Sequence, residues 1–135
     1  MKFPNWLAVY GDVTYRGQCP REAIEQITAF NRIRGAYPDT LGVIALHPRN
    51  EAKRSHHKAQ REKAEGMAPG ASDLIIPGAP AFVCEIKRRD HTKSQWEDHQ
   101  QDYLWAARQQ GTFVCVALGA DAVMEALYVW LDTNY

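Results

Sequence analysis

A chain of 135 residues, 45% hydrophobic and 24% charged, holds one hydrophobic core and leaves little room for a second, so a single domain over residues 1–135 is expected. Its sixteen basic and sixteen acidic residues cancel to zero net charge, which sets aside a uniformly basic nucleic-acid coat. The apolar runs are too short to span a bilayer and Met1-Lys2-Phe3-Pro4-Asn5-Trp6 lacks the apolar stretch of a signal peptide, so a cytoplasmic protein without a membrane partner is expected.

Residues 1–19 carry no usable pattern and are read as an extension, with Trp6, Tyr10 and Tyr15 as candidates for a dimer contact. The core, residues 20–131, opens with a helix from Pro20 to Arg34. Proline suits the first turn of a helix, Ala23, Ile24, Ile27, Phe30 and Ile33 recur at helical spacing, and Gly35 ends the run. Leu41 to Leu46 reads as a short buried strand, broken by His47-Pro48-Arg49-Asn50. Glu51 to Glu65 is polar and lacks an apolar stripe, which makes it an exposed helix or a loop. Asp73 to Ile76 and Ala81 to Lys87 read as a strand pair joined by Pro77-Gly78-Ala79-Pro80. Ser94-Gln95-Trp96-Glu97 has the pattern of a capping box, predicting a helix that runs to about Gln110 and stops at Gly111. Thr112 to Leu118 is β-rich and Ala120 to Leu131 is a last helix. The order predicts an α/β fold with a mixed sheet of about four strands flanked by helices.

Side chains alternate across a strand, so Glu85 and Lys87 share one face while Phe82, Cys84 and Ile86 take the other. With a three-residue turn Gly78-Ala79-Pro80, Asp73 falls directly opposite Glu85. Two such carboxylates repel and raise each other's pKa. A divalent cation removes that repulsion, and oxygen ligands suit Mg²⁺ or Mn²⁺. Lys87 beside them can orient a water or stabilise charge on phosphorus. A plain exposed Glu-x-Lys pair on an edge strand is the competing reading. Gln100 falls on the apolar stripe Trp96, Tyr103, Leu104 and Ala107 of the next helix, where its amide needs polar partners. Glu22 is the weaker candidate, a third carboxylate acting through water or a second metal; Gln26 lies on the same side of its helix.

Cys19, Cys84 and Cys115 lack metal-ligand spacing, and Cys84 and Cys115 read as buried free thiols. His56 and His57 are adjacent and cannot face one zinc as an i, i+4 pair would; His91 and His99 have no ligand spacing. The charges are unevenly spread: from His47 to Lys93 ten Lys/Arg stand against six Asp/Glu, and from Ser94 onward one Arg stands against six acids. The local basic excess suits phosphate. The residues expected to face DNA are His47, Arg49, Asn50, Lys53, Arg54, Lys58, Arg88, Arg89 and Lys93.

Gly70-Ala71-Ser72-Asp73, then Cys84-Glu85-Ile86-Lys87, then Gln100 before Gly111 together resemble the PD-(D/E)xK nuclease superfamily. Pro20-Arg21-Glu22-Ala23-Ile24-Glu25-Gln26 and His47-Pro48-Arg49-Asn50 narrow the resemblance to its VRR-NUC (virus-type replication-repair nuclease) branch, over about Pro20 to Leu131, in the short stand-alone form typical of phage. Ser72-Asp73 stands where the family has Pro-Asp. The resemblance implies a restriction-endonuclease-like core using Mg²⁺ or Mn²⁺, held by Asp73, Glu85 and the backbone carbonyl of Ile86. Lys87 would be the catalytic lysine, Gln100 the motif glutamine and Glu22 the first-helix acid. The implied function is an endonuclease that resolves four-way DNA junctions as a homodimer, in the host cytoplasm if phage-encoded. A nuclease for flaps, single strands or duplex, and a DNA-binding protein that keeps the fold without cutting, are the alternatives.

Overall fold

The computed structural model describes residues 1–48 and 56–134. Its elements are β1 (Ala8–Tyr10), α1 (Glu22–Ala36), α2 (Leu41–Ile44), α3 (His56–Ala64), β2 (Leu74–Ile76), β3 (Phe82–Lys87), α4 (Gln100–Gln109), β4 (Phe113–Leu118) and α5 (Ala120–Asn134), with a 3₁₀ turn at His91–Lys93 between β3 and α4. The strands form one sheet in the order β1-β4-β3-β2. β1 and β3 run parallel to β4, while β2 is antiparallel to β3. This is the expected mixed α/β sheet. Among the described residues no helix is long and apolar enough to cross a membrane.

Strand alternation sorts the core into two layers. Leu74, Ile76, Phe82, Cys84, Ile86 and Cys115 pack against α1 and α5, around a fully buried Trp130 whose indole N–H donates to the Pro80 carbonyl at 3.0 Å. Val83, Val114 and Val116 face the other way, onto Leu104 of α4 and onto Leu7. Cys84 and Cys115 are buried free thiols, facing each other across β3 and β4.

Three elements away from the site differ from expectation. Residues 41–46 do not form a strand: Leu41–Ile44 is a helical turn, and only Leu46 joins the sheet, as a single bridge to Ile75. The turn packs onto the end of α1 through Gly42, where a Cβ would come within 2.9 Å of the Arg34 Cα; the apolar run reads like a strand, but Val43 is left exposed. The fourth strand comes instead from residues 1–19, which are part of the core rather than an extension. Leu7 is buried, Trp6 packs edge-on against Trp105 at 5.1 Å and Tyr10 lies against Phe113. The third difference lies in α1. Phe30 and Ile33 are buried as expected, but Ile24 and Ile27 are more than half exposed.

Glu25 takes the inward place on that helix. Its buried carboxylate accepts the Ala120 backbone N–H at 2.7 Å, capping the start of α5 from another helix, where negative charge also favours the helix dipole. Gly119 makes room for it. Its φ is +95°, and an added Cβ would strike the Glu25 carboxylate.

Candidate active site

β3 ends under α4, and the two polar residues on its α4 face, Glu85 and Lys87, are each only 1% exposed. Residue 70 is what lets the chain before β2 approach the start of α4. Gly70 has φ +73°, and a Cβ there would meet the His99 carbonyl and sit 2.7 Å from the Gln100 nitrogen. The expected capping box is not formed: α4 begins at Gln100, after His99 in the left-handed region. Residues 94–97 run without helix because their polar groups are tied to β3 and its continuation. The Ser94 hydroxyl accepts the Arg88 N–H at 3.0 Å, and the Gln95 carbonyl accepts from Lys87 Nζ at 2.7 Å.

The ladder pairs Leu74 with Cys84, Ile75 with Val83 and Ile76 with Phe82, so the next position on each strand sets Asp73 level with Glu85 on the α4 face. β2 ends there, and the Ile86 N–H that would have met residue 72 is taken by Asp73 Oδ2 at 2.9 Å. In a strand the N–H and C=O of one residue point to the same side. The Ile86 carbonyl therefore faces the same edge, next to Asp73.

Gln100 joins the remaining groups. Its Oε1 accepts from Lys87 Nζ at 3.0 Å and from the Glu97 N–H at 2.9 Å, while its Nε2 donates to Glu85 Oε1 at 3.0 Å. These partners fix which end of the amide is oxygen. Lys87 Nζ also lies 3.6 Å from Glu22 Oε1, 3.8 Å from Glu85 Oε1 and 5.5 Å from the centre of the Trp96 ring. Two of its three N–H groups are thus directed at oxygens of residues 95 and 100, and one remains for the space between the acids.

Glu85 Oε2 is buried without a hydrogen-bond partner. Burial pushes the Glu85 pKa well above the usual carboxylate value; the neighbouring Asp73 carboxylate raises it further, and Lys87 only partly opposes them. Glu22, half-buried, is also raised, by burial first, with Lys87 pulling down and Asp73 pushing up. Among the described residues no three His, Cys, Asp or Glu side chains gather as a metal cage. The donor set does fit a small hard cation that keeps most of its waters and takes one or two carboxylates. It comprises two opposed carboxylates, one with an orphaned buried oxygen, and an adjacent backbone carbonyl.

Asp73, Glu85, Lys87, Gln100 and Glu22 come together; of the expected DNA contacts among the described residues, Arg88, Arg89 and Lys93 bond to other parts of the chain. The Arg88 guanidinium donates to the carbonyls of Cys19 at 2.7 Å and Pro20 at 3.1 Å. Lys93 donates to the Gly17 carbonyl at 2.8 Å. Arg89 leans on Glu25 and Asp121 at 3.7 and 3.9 Å. Lys58 lies on the exposed α3, and His47 is exposed beside the site, bonded to the Asp73 carbonyl at 2.7 Å. Arg49, Asn50, Lys53 and Arg54 lie outside the described residues.

The N-terminal segment, opaque in sequence, proves to buttress the site. The Trp96 indole N–H donates to the Lys2 carbonyl at 2.8 Å, and Gly17 N–H donates to Asp90 Oδ2 at 3.0 Å. That bond, with the Thr92 hydroxyl contributing most, holds the Asp90 carboxyl down at about 2.

A solved structure described as a VRR_NUC domain protein superposes on this chain with a TM-score of 0.68 at 21% sequence identity, covering 87% of this chain and 93% of that one. At that identity the likeness establishes the fold. No protein-family model matches the chain, and no curated protein matches its sequence.

Proposed function

We propose that this chain, which has the fold of a VRR_NUC domain protein, is a divalent-cation-dependent nuclease that hydrolyses phosphodiester bonds in DNA. One observation carries the reading. Asp73 and Glu85 take level positions just beyond the paired part of β2 and β3, one Glu85 carboxylate oxygen is buried without a hydrogen-bond partner, and Lys87 is anchored alongside. Acids that repel one another in a buried place are costly for folding alone, and a site for a cation explains them.

Asp73, Glu85 and the Ile86 carbonyl would hold Mg²⁺ or Mn²⁺. When bound, such a cation supplies Lewis acidity toward a phosphoryl oxygen and lowers the pKa of a water in its shell. The chain's own groups do the rest. Lys87 keeps one N–H for the attacking water or for the charge that builds on phosphorus. Gln100 holds Lys87 and Glu85 at a fixed separation, so neither reorients as the reaction proceeds. Glu22, on the far side of the ammonium, balances its charge and can hold water at the edge of the site. The basic segment from Arg49 to Lys58 holds further candidates for phosphate contacts.

The substrate we favour is a four-way junction cut by a homodimer, because a two-fold axis sets two equivalent sites on opposite strands. The test is cleavage of a synthetic four-way junction, a flap and a linear duplex, each with Mn²⁺, Mg²⁺ or EDTA. The expected result is junction cleavage with either cation and none in EDTA. Equal cutting of duplex removes the junction specificity. Inactivity on every substrate removes the nuclease and leaves the non-cleaving DNA-binding protein.

A further inference from the structure

We propose that His47 is a positioning residue for Asp73, its imidazole standing in for the backbone N–H that Pro48 lacks; this rests on the reading of Asp73 as a cation ligand.

Leu46 and Ile75 exchange both backbone hydrogen bonds, each 2.9 Å long, which makes them a narrow antiparallel pair. The next such pair lies two residues along each strand and sets Pro48 against Asp73. Proline has no N–H to give, so the ladder stops and the Asp73 carbonyl is left without its donor. The ring of His47 fills that place, with Nδ1 at 2.7 Å from the Asp73 oxygen. A carbonyl only accepts, so Nδ1 carries the proton, and in the neutral ring Nε2 is the acceptor.

Asp73 lies one residue beyond the end of β2, where strand pairing no longer fixes its backbone. It is held from two sides instead: by its carboxylate on the Ile86 N–H toward β3, and by its carbonyl on His47 toward the outer edge. The second tether keeps the peptide from swinging away from Glu85. Outer partners that orient a ligand change metal affinity by about 10- to 100-fold when removed. An exposed hydrogen bond belongs at the lower end of that range.

The competing role for His47 is a direct phosphate contact, and the two separate cleanly. The experiment is a calorimetric Mn²⁺ titration without DNA on the wild-type protein, His47→Ala and His47→Asn, alongside junction-binding isotherms in EDTA and thermal melts. Asparagine places an amide N–H where Nδ1–H was. The expected result is a roughly tenfold weaker Mn²⁺ affinity in His47→Ala, most of it recovered in His47→Asn, with junction affinity in EDTA and melting temperature unchanged. In turnover, kcat falls in His47→Ala while KM holds. Unchanged Mn²⁺ affinity in His47→Ala, or an equal loss in His47→Asn, overturns the positioning role. Weakened junction affinity with Mn²⁺ affinity intact assigns the phosphate contact instead. Failure of the wild-type protein to bind Mn²⁺ overturns the cation site itself and this inference with it.

Discussion

Lys87→Met is expected to lower the rate of cleavage by about 10²- to 10³-fold, the usual cost of removing one group that meets transition-state charge. Fold and DNA binding should survive. Methionine is chosen because Lys87 is fully buried: alanine would leave a cavity costing about 2–5 kcal/mol and would confuse unfolding with chemistry. Methionine fills most of the lysine stem's volume and can pack against Trp96, which lies 5.5 Å from Nζ. Losing the ammonium would ordinarily strand the Glu85 charge in the interior. Here burial and Asp73 already push the Glu85 pKa well up, and losing the ammonium pushes it further in the same direction, toward the neutral carboxyl. Single-turnover cleavage, thermal melts and junction binding in EDTA check this together. A loss of less than about tenfold, set against that same range, would make Lys87 a tether for Gln95 and Gln100 rather than a catalytic group. Arginine is not a substitute, since its planar fork cannot occupy the ammonium's three directions.

The metal-free protein should lose stability as pH rises above the ordinary glutamate value of 4.5, and Glu85→Gln should remove most of that loss. The folded-state pKa of Glu85 is raised well above 4.5 by burial and by Asp73. Between the unfolded and folded values the native state therefore holds a proton that the unfolded state has released. Stability then falls with rising pH, by up to about 1.4 kcal/mol per pH unit for one such proton. Glu22 is raised as well and adds a smaller trend of the same sign. Asp90, held at about 2, works in the other direction: its contribution is present above 3.8 and is lost only as pH falls toward 2, outside this window. Mn²⁺ should restore stability most at the alkaline end, because binding requires the deprotonated carboxylates. Thermal melts from pH 5 to 8, in EDTA and in Mn²⁺, provide the reading. Glu85→Gln should melt higher than wild type in EDTA at pH 8 and gain nothing from Mn²⁺. An unchanged pH slope in that variant would show that the buried acid is not what strains the native state.

The site was more legible than its supports, and the reason is range. Asp73, Glu85 and Lys87 lie on one hairpin, where alternation and turn length decide which side chains meet, and the pairing of Leu74 with Cys84 follows that arithmetic. Gln100 was found through a glutamine among apolar positions, although it sits at the first residue of α4 rather than inside a helix begun at Ser94. The roles of Arg88, Lys93 and Trp96 depend on carbonyls at Cys19, Gly17 and Lys2, more than sixty residues away in each case. No local pattern encodes such partners. β1 was missed because three residues are too few to display a period. The stretch 41–46 misled because a β-branched run beside a glycine satisfies a helical turn as readily as a strand once the glycine can press against another backbone.

The most direct test is a crystal of the protein grown or soaked with Mn²⁺ and measured for anomalous scattering from manganese. The predicted result is a peak within about 2.0–2.2 Å of oxygens from both Asp73 and Glu85, with the Ile86 carbonyl as a third protein ligand and water in the remaining positions. A well-ordered site with no manganese peak, or with Asp73 turned away from Glu85, would contradict the account.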